Sequence, residues 1–267
     1  MNWLQNAILQ LKSIGVAIGK FAALLGLLSI LLTLSAGKAL ASPPVDIIFD
    51  IDWTTFYSID TDDRGQIDDK AIIIEGKTYR ATDHLGDVLE KLASYPNVRI
   101  SFFSGGERSR NEALLKAYIL PSGRSAFDIA FRVLSQEQLT IASNDPTLKF
   151  TDRYKKNFTN LIPGVRPDRT ILIDDQIQFS VKPWQAVDSL GHFNFQKVYD
   201  ATKAGTPYYP LNAELWRSER DKALMWQALL VEALEKATTS SESFSDIVTK
   251  LWESKSMRKK KKNIFQY

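Results

Sequence analysis

The sequence predicts an α/β protein: a Rossmann-like, mainly parallel sheet flanked by helices, with a small hairpin flap, no large cap and C-terminal helices. Three observations predict it. Short strand-like runs alternate with helix-period stretches, the order that builds parallel βαβ units. Three of the runs end in polar groups that no core requires: Asp50-Ile51-Asp52, Ser104-Gly105-Gly106 and Asp174-Asp175. The connections between those groups are also too short for a second folded domain.

The elements follow in order. Residues 1–41 stand apart from the fold. Lys12 and Lys20 precede an apolar run, Phe21 to Gly37, and Ala39-Leu40-Ala41 follows as a small-x-small cleavage signal. That is the layout of a secretory signal peptide. An uncleaved membrane anchor is the alternative, and a buried or interfacial helix a third reading. Cleavage after Ala41 would export the protein, to a periplasm or the medium. Ser42-Pro43-Pro44 reads as the linker into a domain spanning 42–237.

Strand candidates are 45–50, 98–103, 127–132 and 169–173. Ala71 to Thr82 reads as a hairpin turning at Gly76, placed to project over the carboxyl edge of the sheet. Asp83 to Ala93 reads as a helix, with Leu85, Val88, Leu89 and Leu92 at three-to-four spacing. Glu112 to Tyr118 is another, and 135–150 has room for a small insertion. After Pro207-Tyr208-Tyr209-Pro210, Leu211 to Ala237 carries one long amphipathic helix pattern. A Ser/Thr-rich break then leads to a short helix at 244–252 and a basic tail, together a C-terminal unit at 238–267.

Composition narrows the chemistry. With 44% apolar residues the chain has enough to build a core. It has no cysteine, which excludes disulfides, thiolate zinc sites and a cysteine nucleophile. Its two histidines, His84 and His192, show no metal-ligand spacing, and no G-x-S-x-G elbow accompanies them. The formal charge of +3 hides an acidic body. Residues 42–254 hold all 31 acidic residues and 25 of the 34 basic ones, a net −6 between basic ends. Arg258 to Lys262 gives five consecutive bases, a solvated end or a contact for anionic lipid. Without interleaved aromatics it offers charge but no stacking, which argues against nucleic acid.

The run Val45–Phe49 delivers Asp50 and Asp52, with Thr54 next in the same alternation. Residues i and i+2 of a strand point the same way, so both carboxylates can reach one point beyond its end. Unpaired buried carboxylates are costly and want a cation or a reaction. VRISFFSGG (98–106) ends in the hydroxyl of Ser104 beside two glycine amides, an oxyanion cradle. Lys155-Lys156 precedes RTILIDDQ (169–176), which ends in Asp174 and Asp175. Phosphoryl transfer explains the set. A carboxylate can attack phosphorus. A second can serve as acid and then base. Clustered acids hold a hard cation such as Mg²⁺, and donors meet the charge on the phosphoryl oxygens.

These motifs, in this order over about residues 45–200, resemble those of the haloacid dehalogenase-like (HAD) phosphatases, and their layout is similar to the nearly capless, protein-phosphatase-type members. The family pattern D-x-D-x-T/V is matched by Asp50, Asp52 and Thr54, and the hydroxyl motif by Ser104. The lysine is matched by Lys156, with Lys155 the alternative, and the acidic pair by Asp174 and Asp175. The resemblance implies a nucleophile, Asp50, and an acid/base, Asp52, oriented by Thr54. It implies phosphoryl binding by Ser104, Gly105 and Lys156. It implies Mg²⁺ held by Asp50, Asp175, the Asp52 carbonyl and, through water, Asp174. The expected activity is phosphomonoester hydrolysis through an aspartyl-phosphate, on phosphoprotein or another bulky substrate that an open site admits. A HAD-fold interaction protein with little turnover, or a nucleotidase or phosphotransferase on the same scaffold, are the alternatives. Trp53, where many relatives carry a small or polar residue, is expected to shape the leaving-group side and favour a flat substrate such as phosphotyrosine; core packing is the other reading. Arg108 and Arg110 follow the hydroxyl motif and read as solvated helix residues before substrate contacts.

Overall fold

The structure, a computed structural model, describes residues 43–59, 70–190, 198–204 and 209–264, with side chains as far as Ser256. The N-terminal apolar segment, His192 and the side chains of the basic tail lie outside the described residues. No helix among the described residues is long and apolar enough to cross a membrane. The account below concerns the compact unit that begins at Pro44.

The chain runs through β1 (Val45–Phe49), β2 (Phe56–Ile59), β3 (Ile72–Ile74), β4 (Lys77–Ala81), α1 (Leu85–Ala93), β5 (Val98–Phe103) and α2 (Arg108–Ala117). A helical turn, α3 (Ala126–Ile129), leads into β6 (Ala130–Leu134); β7 (Thr140–Ile141), the turn α4 (Phe150–Arg153) and β8 (Tyr154–Lys155) follow. Then come β9 (Thr170–Asp174), β10 (Gln185–Asp188), α5 (Ala213–Arg220), α6 (Lys222–Thr239) and α7 (Phe244–Ile264).

The central sheet has the order β10-β9-β1-β5-β6, and every pairing in it is parallel. The α/β class and mainly parallel sheet read from the sequence are therefore what the chain forms. In β1 the period of two sends Ile47 and Phe49 to one face and Ile48 to the other. The first face meets α1, whose Leu85, Val88, Leu89 and Leu92 are fully buried, together with Leu114 and Leu115 of α2 and Trp226 and Leu230 of α6. The second face is closed by Phe103, Phe158, Ile162 and Trp184. β1 lies between two strands and is buried throughout, as the middle strand of a parallel sheet must be.

Two small additions stand on the carboxyl edge. β2, β4 and β3 form an antiparallel flap. Its hairpin turns at Glu75 and Gly76, both with positive φ (51° and 75°), as a two-residue turn matching strand twist requires. The flap is thus larger than the expected hairpin, because Phe56–Ile59 pairs with it. The insertion at 135–150 becomes a ribbon, β7 against β8, with α4 at its base.

The helix expected from Glu112 starts earlier, at Arg108, and three further boundaries differ from the sequence reading. Residues 126–129 coil into a helical turn because Ser125 and Asp128 cap each other reciprocally, so the strand starts at Ala130. The pattern over 211–237 is two helices, interrupted at Asp221 (φ −86°, ψ 7°). The break lets Arg220 reach Asp83, Nε to Oδ2 at 2.5 Å, while Lys222 turns fully inside. The last helix runs on to Ile264, since no glycine or proline follows Trp252 and lysine and arginine are good helix formers.

Candidate functional site

β1, β5 and β9 end side by side, in the registers Phe49↔Phe102 and Phe49↔Ile173. Their last residues deliver Asp50, Ser104 and Asp174 to one place on the carboxyl edge. Lys156 joins them from a different direction. Its backbone pairs with residues 179–180, the N–H donating to Phe179 O at 2.8 Å. Its side chain is completely buried, with Nζ donating to Asp50 Oδ1 at 2.5 Å and to Asp174 Oδ2 at 2.7 Å. The neighbouring Lys155 turns away and donates to the carbonyls of Thr151 and Gln178, both at 2.7 Å. Of the two lysines, Lys156 is the one at the strand ends.

Asp50, Asp174 and Asp175 each offer an oxygen within 4.8 Å of the others. Three carboxylates stand against the ammonium of Lys156 and, at Asp175, the charge of the buried Lys222; one negative charge is still left over, and the donors are all oxygen. That donor set fits a hard divalent cation. The electrostatics agree. Burial raises the Asp50 pKa well above the ordinary carboxylate value; Lys156 opposes the rise, and Asp174 and Asp52 add to it. Burial and then the charge of Asp174 push Asp175 up to about 6. Lys156 is held above its ordinary value: burial works against its charge, but Asp174 and Asp50 more than compensate.

Asp52 does not share this corner. β1 stops at Phe49, and residues 51–55 form a tight turn in which the Thr55 and Phe56 amides both return to Ile51 O, at 3.2 and 2.8 Å. The alternation expected to align Asp50 with Asp52 is therefore interrupted. The Asp52 carboxylate faces an adjacent corner, where Ser104 Oγ donates to Oδ2 at 2.6 Å. Arg110 forks onto both of its oxygens, at 2.5 and 2.7 Å. Burial would raise its pKa, but the Arg110 bonds and charge, with Ser104, outweigh burial and hold it below the ordinary value. Reading Arg110 as a solvated helix residue is thus corrected. Its side chain is only 14% exposed, because α2 begins at Arg108 and its first turn folds back on the end of β5. Arg108 is exposed, as expected. The signal in the sequence was an arginine six residues after Ser104, but sequence alone could not decide between Arg108 and Arg110.

The remaining expected residues divide. Thr54 Oγ1 accepts the Asp175 amide at 3.0 Å and so ties the turn to the acidic pair. Thr55, not singled out from the sequence, donates to Asp50 O at 2.8 Å. Gly105 lies under the Phe150 ring, which a Cβ on Gly105 would meet at 3.0 Å. Gly106 N–H donates to Ser104 Oγ at 2.9 Å. Trp53 has φ 61° and packs edge-on against Tyr57, ring centres 4.5 Å apart. The cleft opening from Asp52, about 500 Å³, is lined instead by Ser58, Glu75, Lys77, Tyr79, Glu107 and Arg110. His84 lies on the surface between Asp87 and Asp221.

No protein-family model matches the chain, and no curated protein matches it. Solved structures do show similarity. One is described as Fcp1, an essential RNA polymerase II CTD phosphatase: 18% identity, TM-score 0.40, covering 70% of this chain and 54% of that one. Another is a fission yeast RNA polymerase II CTD phosphatase Fcp1 variant bound to beryllium fluoride: 14% identity, TM-score 0.37, covering 83% of this chain and 65% of that one. This chain spans between half and two thirds of the length of those structures. Similarity at this level assigns no activity or substrate to this chain.

Proposed function

We propose that this chain is a HAD-type phosphomonoester hydrolase that uses Mg²⁺ and an aspartyl-phosphate on Asp50. The observation that carries the proposal is the knot of Asp50, Asp174 and Asp175 around the buried Lys156, with Asp52 and Ser104 in the next corner. An Asp50 oxygen attacks phosphorus, and the bond to the leaving oxygen breaks. Asp52, protonated once Arg110 releases it, gives that oxygen its proton. Water then attacks the same phosphorus, its proton passes to Asp52, and the P–O bond to Asp50 breaks to release phosphate. Lys156 and Ser104 meet the charge on the phosphoryl oxygens, with the Gly105 and Gly106 amides beside them. Mg²⁺ held by Asp50, Asp174, Asp175 and the Asp52 carbonyl would neutralise further charge in the transition state.

Among the described residues the carboxyl edge carries only the flap and the ribbon as additions. The described part of that edge suits a bulky phosphoester, and a phosphoprotein is the substrate class we favour. The test is hydrolysis of an aryl phosphate, with and without Mg²⁺, by the protein and by Asp50→Asn. We expect metal-dependent turnover that Asp50→Asn abolishes; equal rates for the two proteins would sink the assignment. A second reading, a binding protein of this fold with little turnover, draws on one observation. Asp52 and Ser104 are bonded to each other and to Arg110 rather than turned toward the Asp50 corner.

A further inference from the structure

Arg110 reaches Asp52 by a path that the chain keeps clear. From the first turn of α2 its side chain crosses Gly106, where a Cβ would stand 1.7 Å from Nη2. No side chain fits there while the guanidinium does. On its other side stands the flap, with the Tyr79 ring centre 5.9 Å from Cζ. Nη1 and Nη2 occupy both oxygens of Asp52, and Nη2 lies 3.4 Å from Ser104 Oγ. The guanidinium also lines the cleft that leads out from Asp52. It therefore stands where that cleft meets the phosphoryl site.

This arrangement cannot persist once a phosphoester binds. Ser104 has one hydroxyl hydrogen, now given to Asp52. It cannot also donate to a phosphoryl oxygen. Asp52 Oδ2 already accepts both Ser104 and Arg110, and Oδ1 accepts Arg110, so only one lone pair of Oδ1 is left to face a leaving oxygen. A guanidinium fits carboxylate and phosphate with the same two-pronged geometry, and phosphate carries the larger charge.

On the phosphatase reading above, we infer that Arg110 is a substrate-binding residue that exchanges partners: Asp52 in the structure described here, and the phosphoryl oxygens of a bound phosphoester. The pairing with Asp52 holds Arg110 in reach and is broken by the ligand. The site thereby selects substrates whose phosphate is a terminal monoester, since only that group offers enough free oxygens for Lys156, Ser104 and a forked arginine together.

The experiment uses the full chain with Mg²⁺ and takes inorganic phosphate as the probe. Its Kd is measured by calorimetry and its Ki against an aryl phosphate. Arg110→Gln is expected to raise Kd, Ki and KM together, each about tenfold or more, with Arg110→Lys between it and the wild type. Gly106→Ala, whose methyl blocks the path, should reproduce the rise. Asp52→Asn should tighten phosphate binding, and that gain should vanish in the Arg110→Gln background. A fall in kcat with Kd and Ki unchanged would show that Arg110 only positions Asp52, and would overturn the inference. So would tightening by Asp52→Asn that survives without Arg110. Calorimetry reads Arg110 even if no turnover is found, whereas absence of Asp50-dependent hydrolysis would remove the phosphatase reading alone.

Discussion

β1 carries a buried aspartate at each end, and the two are treated in opposite ways. At the amino end Asp46 stands opposite Arg99 of β5, in register, and the guanidinium binds both its oxygens at 2.8 and 2.6 Å. A further Arg99 N–H goes to Pro163 O at 2.8 Å. Arg99 matches the acid bond for bond, Arg169 adds a second positive charge, and no negative charge is left over. At the carboxyl end Asp50 shares a single ammonium with Asp174, and Asp175 stands within 4.8 Å. The buried Lys222 also acts on Asp175, yet three carboxylates still outnumber the two ammonium groups. Burial raises the pKa of both Asp46 and Asp50, so burial alone does not distinguish a structural pair from a site. What distinguishes them is the surplus of carboxylate at the edge where an open α/β sheet places its ligands.

The largest effect separates the two ends by turnover. Asp50→Asn is expected to lower kcat on an aryl phosphate by at least about 10³-fold, as loss of a nucleophile does. Asp46→Asn should leave kcat of the folded protein within about threefold, because it touches nothing at the other edge. Equal loss in both variants would erase the distinction.

Stability should divide the other way. Arg99→Met strips the buried Asp46 carboxylate of both side-chain bonds and leaves it only the charge of Arg169, a change that costs about 3 kcal/mol. For a unit of this size that is roughly 10 °C in Tm. Mg²⁺ should not restore it. Lys156→Met also strips a buried partner, but the acids it leaves can bind a cation, so Mg²⁺ should recover part of the loss. Recovery of Arg99→Met by Mg²⁺, or none for Lys156→Met, would show that the two ends do not differ as described.

The pH dependence follows from Asp175, raised to about 6. Without metal the folded protein binds a proton there that the unfolded chain has released above about 4. Stability from this group is therefore fully present below about 4 and is lost as pH rises through about 6. A cation needs the charged form, so its binding should tighten about tenfold between pH 5 and 7. The rise in Tm on adding Mg²⁺ should grow by a few degrees over that range. A shift independent of pH would place the metal away from Asp175.

How much of this was legible depends on whether a residue's partner lies at a strand end. The sheet and the gathering of Asp50, Ser104 and Asp174 at one edge could be read, because parallel strands with short crossovers put their carboxyl ends together whatever the detailed packing; Lys156 reaches that edge from outside the sheet, and only the resemblance singled it out over Lys155. Arg110 could not, since its role depends on where α2 starts and on a missing side chain at Gly106. Asp46 could not either. Within VDIIF it looks like a blemish in an apolar strand, and only the register with Arg99 explains it. The shared direction of Asp50 and Asp52 was read by extending strand alternation through residues that form a turn.

That turn supplies the smallest test. The chain is regular strand at Asp46 and bent directly after Asp50, and Trp53 occupies the bend with φ 61°. A bulky residue pays about 1 kcal/mol for that conformation, which glycine adopts freely. Its ring packs against Tyr57 and Ile59 in a small cluster of its own, while other residues line the cleft at Asp52. Trp53→Ala should therefore lose the edge-on pair with Tyr57, about 0.5–1.5 kcal/mol. It should change the preference between tyrosyl and seryl phosphopeptides by less than about threefold. Trp53→Gly should lose the same contacts but regain roughly 1 kcal/mol over Trp53→Ala by relaxing the backbone. Denaturant midpoints of the two variants give the difference directly. If glycine proved no better than alanine, the bend would be held without strain. A large change in tyrosyl preference would return Trp53 to the leaving-group side.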